Sequence, residues 1–409
     1  MSRSIASVHL RKGHVQPIWA GHPWVYAQAI DRVEVPGGGA TPGVGDEVRV
    51  VDPQGNALGR GFWSPRRAIP VRLLVRDETT SLDDAQWLVD RIEAARRRRR
   101  SVGLPSAETT GYRLLHAEGD DAPGLVMDHF GAGKEGRGGV VVVQVGTAGL
   151  YARAERIIEA LNATVAPDAI LDRTSESSAR GEGFEIDARF GDPARVEALR
   201  FSERGLRFSI PRDVGQKTGF YFDQRDLRAR IESVARDRRV LDAYSYVGPI
   251  AMAAARGGAK SVLAVDDSLR ALEVGDACAK DNALTIEFRR GDVRKELPKL
   301  AAEGQRFDLV VLDPPKLAPT RGDRDGAAHY TSKLVEAACA VTEASGLMVI
   351  CSCSTALGAG VIPRSHAIGA RRAGRRAPIL DRLGQGADHP VPAAFPEGIY
   401  LSTILAEIG

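Results

Sequence analysis

The sequence predicts an α/β chain. A Rossmann-like parallel sheet fills its second half, preceded by an N-terminal β-barrel and a central α+β domain. Three observations predict it. After about Phe201, apolar strands alternate with helix-like runs, which implies right-handed crossovers and a parallel sheet covered on both faces. Before about residue 76, short strands are separated by glycine turns, the pattern of a small barrel. The chain has 409 residues, too many for one ordinary core, so two or three domains are expected. The expected boundaries are 1–76, 77–199 and 200–409.

In the first segment "HVQPIWAGHPWVYAQAIDRVE" leads to the loop "PGGGATPG". "DEVRVVDPQGNALGRGFWS" then alternates around a turn as a hairpin does, and "AIPVRLLVRD" adds a strand. Leu82–Arg100 fits one amphipathic helix, with Asp83 and Asp84 in its first turn and arginines in its last, as the helix dipole favours. "GYRLLHAEGDDAPGLVMDHFG" reads as two strands around an acidic turn. Gly139–Gly146 is a strand, Leu150–Ala163 a helix and Ala169–Asp172 a short strand. In the last segment the strands are Arg239–Tyr246, Ser261–Ser268, "IEFRRGDV", "FDLVVLDPPK" and "LMVICSCS", with "LVEAACAVTEASG" as the helix before the fifth.

Composition narrows the function classes. No apolar run reaches the ~18 residues a membrane span needs, and the N-terminus lacks an apolar signal-peptide core, so a cytoplasmic protein with no membrane partner is expected. Four cysteines do not make a disulfide framework. The net charge is a mild +3, but "RRRRR" at Arg96–Arg100 and "GARRAGRR" at Gly369–Arg376 are local basic clusters. Such runs are solvated helix faces or phosphate-facing patches, and charge alone does not decide.

Ligands of parallel α/β sheets bind beyond the C-terminal ends of the strands, where the candidate residues fall. "VLDAYSYVGPIAM" places Asp242 at the end of the first strand, Tyr244 in the turn, and Gly248 where a small residue lets a ligand approach. Asp266 ends the second strand, where a carboxylate can accept from both ribose hydroxyls; Asp292 ends the third, near where an adenine amino group would lie. The pattern suits a dinucleotide or S-adenosylmethionine (SAM). A dinucleotide wants Gly-x-Gly-x-x-Gly for its pyrophosphate, and this turn has one glycine, which favours SAM. "VVLDPPK" then drives an apolar strand into Asp313 and two prolines, which hold that carboxylate rigidly over the sheet edge where it can meet a planar amine or amide.

The chain resembles the PUA-containing class I ribosomal RNA methyltransferases, specifically the ribosomal RNA large subunit methyltransferase I family. The resemblance is carried by "GHPWVYAQAI", "GRGFWSP", "GYRLLHAEGDDAPGLVMDHFG", "GQKTGFYFDQR", "VLDPPK", "SCS" and "DHPVPAAFPEGIYL", spread over nearly the whole chain. It implies a PUA-like RNA-binding barrel, a central α+β domain and a class I methyltransferase domain that uses SAM to make 5-methylcytosine in 23S ribosomal RNA. It also implies that "GQKTGFYFDQR" folds over the cofactor, with Phe220 and Gln224 as contacts. The expected partner is 23S RNA or a large-subunit precursor. The oligomeric state stays open, a homodimer being one option.

Cys351 and Cys353 offer too few ligands for a metal site and lack the Cys-x-x-Cys redox spacing. One is expected in the core and Cys353, at the strand's end, in the cleft. Cytosine C5 is a poor nucleophile, and a thiolate adding to C6 activates it. An ordinary thiol has a pKa of about 8.5, so Lys316 or the cofactor's sulfonium is expected to favour the thiolate. The catalytic candidates are therefore Cys353, Asp313 and Lys316, with no metal. RNA affinity is expected from Arg11, Lys12 and the Trp24/Trp63 region, unless those tryptophans are core.

Two stretches depart from the family pattern. Pro249 stands where a second glycine is usual. Ala356–Pro378, rich in glycine and proline with a weak apolar period, is not expected to form a continuous helix. That segment keeps open an RNA-binding ribosome assembly factor with a degenerate methyltransferase domain. A SAM enzyme acting on uracil C5 or a guanine nitrogen is the other alternative.

Overall fold

The computed structural model describes residues 5–191, 193–215, 217–316, 321–354 and 358–409. The chain divides into two compact units, one of Met1–Gly205, Gly215–Phe220 and Ala387–Gly398, the other of Leu206–Val214, Tyr221–Gly386 and Ile399–Gly409.

The alternation in the first 76 residues yields β1 (Ala6–Leu10), β2 (Trp24–Val25), β3 (Ile30–Glu34), β4 (Glu47–Val51), β5 (Ala57–Trp63) and β6 (Val71–Val75), with the one-turn α1 (Val15–Trp19) after β1. They form one sheet in the order β2-β6-β5-β4-β1-β3, with β1 and β4 parallel and the other pairs antiparallel. The expected β4–β5 hairpin is present, and Asp52 holds its turn by accepting from the N–H groups of Gln54 and Asn56. Val8, Val48, Val50, Trp63 and Val71 fill the core beneath it.

Residues 77–205 of the same unit give α2 (Gln86–Ser101), β7 (Tyr112–His116), β8 (Leu125–Phe130), β9 (Val140–Val145), α3 (Ala148–Tyr151), α4 (Ala154–Thr164), β10 (Ala169–Asp172), α5 (Glu176–Glu182) and β11 (Ala198–Glu203). β7 to β10 make a four-stranded sheet in reverse sequence order. α2 starts later than the pattern suggested. Asp83 and Asp84 precede it, and Asp84 accepts from the Gln86 N–H.

The arginine run of α2 is neither a solvated face nor a phosphate patch as a whole. Arg99 is 1 % exposed and grips the fully buried Asp120 with two hydrogen bonds of 2.6 and 2.7 Å. It also donates to the carbonyls of Arg113 and Asp388. Arg96 binds Glu93 and the Thr164 carbonyl, and Arg98 reaches Asp120 at 3.1 Å. Arg97 and Arg100 are left facing solvent.

The second unit contains β12 (Leu206–Pro211), α6 (Arg225–Val234), β13 (Arg239–Ala243), α7 (Pro249–Arg256), β14 (Ser261–Asp266), α8 (Leu269–Asp281), β15 (Glu287–Arg290), α9 (Val293–Ala302), β16 (Phe307–Leu312), α10 (Arg324–Cys339), β17 (Thr342–Ser352), α11 (Gly358–Arg372), β18 (Ile379–Leu383) and β19 (Ser402–Ile408). Its seven strands run β15-β14-β13-β16-β17-β19-β18. β13 to β17 are parallel as predicted, while β19 enters antiparallel between β17 and β18, which the sequence reading did not anticipate. The strand order reverses between β13 and β16, so their C-terminal ends open a crevice.

The segment after the cysteines corrects an expectation. Thr355–Leu357 lie outside the described residues, but Gly358–Arg372 is a helix, with Pro363 in its second turn. Its buried positions are Ile362, Ser365, His366, Gly369 and Ala370, one regular helical stripe. Apart from Ile362, the stripe is built from small and polar residues, so it lacks an apolar period. Burial pushes the His366 pKa down to about 4, leaving a neutral ring inside the packing. A Cβ on Gly369 would meet the Ser332 carbonyl of α10 and lie 2.7 Å from Val335 Cβ, so the two helices touch at backbone distance. Gly369→Val is therefore expected to cost about 2 kcal/mol or more in urea unfolding. Unchanged stability would contradict the close crossing. The second basic cluster is also partly structural: Arg375 donates to the carbonyls of Cys339, Thr342, Glu343 and Ile408.

Candidate cofactor and catalytic site

The turn after β13 is shaped by backbone strain. Tyr244 has φ +66°, Tyr246 φ +54° and Gly248 φ +70°. Left-handed conformations at two tyrosines cost roughly 1–3 kcal/mol each and occur mainly where a site requires them. Gly248 is needed on two grounds, its positive φ and the Phe288 ring, whose Cε1 would lie 2.9 Å from a Cβ. Pro249, the departure from the family pattern, is the first residue of α7, where proline's fixed φ and missing N–H are tolerated.

Three carboxylates stand at strand ends around this turn. Asp242 Oδ2 accepts from the Ala251 N–H at 2.9 Å, while its Oδ1 is buried without a hydrogen-bond partner. Burial, with the negative charges of Asp313 and Asp266 adding to it, pushes the Asp242 pKa up to about 8. Asp266 accepts from the N–H groups of Tyr246 (2.8 Å) and Ser268 (2.9 Å). Asp292 caps α9, accepting from the Arg294 N–H and pairing with its guanidinium at 2.6 Å.

Asp313 follows β16 directly and is half-buried; its Oδ2 accepts from Gln224 Nε2 at 2.7 Å. The tie fixes the carboxylate's rotation over the crevice. Lys316 is exposed three residues further on. β17 pairs with β16 through Leu312↔Ile350, which sets Cys351 abreast of Asp313. Cys351 is 1 % exposed, and burial, reinforced by Asp313, pushes its thiol pKa well up. Cys353 lies past the strand's end and is half-buried. Burial pushes the Tyr221 hydroxyl pKa up, and the charges of Asp313, Asp223 and, least, Cys353 add to it.

Beside Cys353 a cleft of about 230 Å³ opens between Ser354, Arg382, Gly384 and Tyr400. Tyr400 is held in place by donating its hydroxyl to Asp223 Oδ2 at 2.7 Å.

Asp242, Tyr244, Gly248 and Asp266 are thus gathered at one crevice, and Gln224, Asp313 and Cys353 at its neighbouring strand ends. Phe220 belongs to the other compact unit, where its ring packs edge-on to Phe201 at 4.8 Å. Sequence reasoning passed over Tyr221, Tyr330 and Tyr400, although the first and last stand in quoted motifs. Tyr330 reaches back from α10 to the Tyr244 hydroxyl at 3.0 Å.

The residues fit SAM. The buried Asp242 Oδ1 and Ser245 Oγ lack hydrogen-bond partners in the very turn that Gly248 opens. The clustered carboxylates favour a cationic ligand, which would also relieve their mutual repulsion. Because folding takes up a proton at Asp242, stability is greatest below the ordinary carboxylate range and is lost as pH rises through about 8. The thermal midpoint of the parent chain is expected to fall relative to Asp242→Asn between about pH 5 and about pH 9. Parallel calorimetric curves for the two would contradict the assignment.

Comparison with known proteins agrees. Residues 8–76 match the PUA-like domain and residues 185–380 the S-adenosylmethionine-dependent methyltransferase family. The chain is 32% identical over 401 residues to ribosomal RNA large subunit methyltransferase I of Photobacterium profundum, covering 97% of each. It is 33% identical over 397 residues to the protein of that name from Erwinia tasmaniensis, covering 96% of each. A Streptococcus mutans protein described as a SAM-dependent methyltransferase superposes with a TM-score of 0.80 at 16% identity, over 98% of this chain and 99% of that one. A further structure, solved with SAH, gives 0.81 at 17% identity over 98% and 99% of the two chains. At those identities the two structures speak for the fold alone. On identity across nearly its full length, together with both domain matches, the chain belongs to the ribosomal RNA large subunit methyltransferase I family and is a SAM-dependent methyltransferase.

Proposed function

We propose that the protein methylates C5 of a cytosine in large-subunit (23S) ribosomal RNA, with Cys353 as the nucleophile. The carrying observation is the contrast between the two thiols. Cys351 is sealed in the core and held protonated, whereas Cys353 is half-buried just past the end of that strand. A thiolate is needed only if the target carbon requires activation; methylation of a guanine nitrogen needs none.

Bound SAM supplies an electrophilic methyl group on its sulfonium. The chain's residues do the rest. Asp242, Tyr244, Gly248, Asp266 and Asp292 line the cofactor turn and strand ends, with Gln224 from the preceding segment. The cytosine, turned out of its stack, would lie by the Ser354–Arg382–Tyr400 cleft. Asp313, rotationally locked by Gln224, accepts a hydrogen bond from its N4 amino group. The Cys353 thiolate, favoured by Lys316, adds to C6, and the C5=C6 electrons make C5 nucleophilic. After C5 gains the methyl, a base removes the C5 proton, the C5=C6 bond re-forms and the thiolate leaves.

Residues 1–76 serve as the RNA-binding domain, 77–199 as the central domain and 200–409 as the methyltransferase domain. Ribosomal RNA as substrate places the reaction in the cytoplasm. The regular α11 removes the reason to favour a degenerate domain. The test is methylation of an unmodified 23S transcript with labelled SAM, followed by nucleoside mass spectrometry. The expected product is 5-methylcytidine, and methyl on uridine or guanosine would contradict the reading.

A further inference from the structure

We infer that Trp19 is a base-stacking platform by which the N-terminal sheet docks a single-stranded stretch of RNA. This rests on the proposal that RNA is the substrate. The tryptophans named from sequence are poor candidates. Trp63 is 7 % exposed in the core, and Trp24 donates to Glu118 at 2.8 Å and packs edge-on to Phe395 at 4.5 Å. Trp19 is 77 % exposed, the most exposed large apolar side chain among the described residues.

Its backbone is nevertheless tightly held. Ile18 beside it is buried at 2 % exposure. The Arg76 guanidinium donates to the carbonyls of Ile18 (2.8 Å) and His22 (3.0 Å), closing the turn on both sides of the indole. The N–H groups of Ala20 and His22 donate back to Gln16 and Pro17, each at 2.9 Å. A large aromatic ring presented to water from a fixed backbone needs little ordering on binding, which is what a stacking contact requires.

Charge selects the partner. Arg11, Lys12 and His14 are exposed in the loop that leads into α1, whose five residues span only about 8 Å. No Asp or Glu occurs in the sequence before Asp31. Asp31 and Glu34 are matched by Arg32 at 3.3 and 3.6 Å, and Glu34 also by His9 at 3.0 Å. Glu397 sits on His22 at 3.4 Å, and Glu118 accepts from the Trp24 indole. An exposed π-face next to the Arg11 and Lys12 cations fits a nucleobase and its flanking phosphates. An apolar protein surface would gain nothing from the cations.

The test measures binding of the full chain to an unmodified 23S transcript, with Trp19→Ala, Trp19→Phe and Lys12→Ala alongside. Trp19→Ala is expected to weaken binding roughly tenfold with an unchanged salt slope, and Trp19→Phe to recover most of it. Lys12→Ala is expected to make the salt slope shallower by about one. SAM affinity and the thermal midpoint of Trp19→Ala should match the parent. Equal RNA affinity for parent and Trp19→Ala would overturn the platform. So would loss of a dimer on Trp19→Ala without loss of RNA affinity, which would assign the ring to a second copy of the chain. A parent that fails to bind the transcript would overturn the RNA reading itself.

Discussion

Cys353→Ala is expected to abolish methyl transfer while leaving SAM affinity at the parent level. Without addition to C6, C5 has no activated electron pair, and the loss should be at least about 4 kcal/mol of transition-state stabilisation, roughly a thousandfold in rate. Cys351→Ala is the control. It removes one buried sulfur from a packed face, so it should cost on the order of 1 kcal/mol in stability and leave most of the rate. The two mutants separate cleanly because the thiols differ in environment. Cys351 is surrounded by the apolar side chains of the sheet's core, which penalise its anion, while Cys353 has left the strand. An active Cys353→Ala with a dead Cys351→Ala would reverse the assignment.

Arg99→Met is expected to destabilise the first unit by about 3–5 kcal/mol, because it strands a buried carboxylate. Asp120 is fully buried, and the bidentate pair with Arg99 is its main compensation, joined by Arg98 and the His116 N–H. The neighbouring Arg97→Ala and Arg100→Ala should each change stability by less than about 0.5 kcal/mol. Urea unfolding followed by circular dichroism distinguishes them. Similar losses at all three positions would mean that the run acts as a charge cluster rather than through one buried residue. The double replacement Arg99→Met with Asp120→Leu should recover much of the loss, since it removes the stranded charge as well.

These arginines illustrate what the sequence could and could not convey. Five in a row look like a charged surface, and nothing local says that the third and fourth will find Asp120 some twenty residues later. The five parallel strands were legible because β13, β14, β16 and β17 carry apolar runs between helix-like segments, and β15 runs into Gly291 and Asp292. β18 and β19 were not, because β19 pairs with β17 some fifty residues back and takes β18 on its other side, and β18 is half-exposed along its length. α11 was hidden for a different reason. Apart from Ile362, its packing stripe is made of glycine, alanine, serine and histidine, which no apolar period reveals, and its closest contact is an absence of side chain at Gly369.

At the site, the acids and the cysteine pair stood out because strand-end chemistry is concentrated in short motifs. Tyr221, Tyr330 and Tyr400 did not, since the importance of a tyrosine can lie in a hydroxyl partner far along the chain, as with Tyr330 on Tyr244 and Tyr400 on Asp223. Trp19 was overlooked for the same reason in reverse. Exposure is a property of the folded surface, and three of the chain's four tryptophans are in fact packed.

The central claim is that a thiolate from Cys353 bonds to C6 of a cytosine. A 23S transcript made with 5-fluorocytidine tests it most directly, because fluorine at C5 cannot leave as a proton does and the adduct cannot resolve. Incubation with SAM is predicted to give a protein–RNA complex that survives denaturation, with the crosslinked peptide containing Cys353 and no complex formed by Cys353→Ala. Methylation of the normal transcript with no covalent complex on the fluorinated one, or a crosslink at Cys351, would contradict the account.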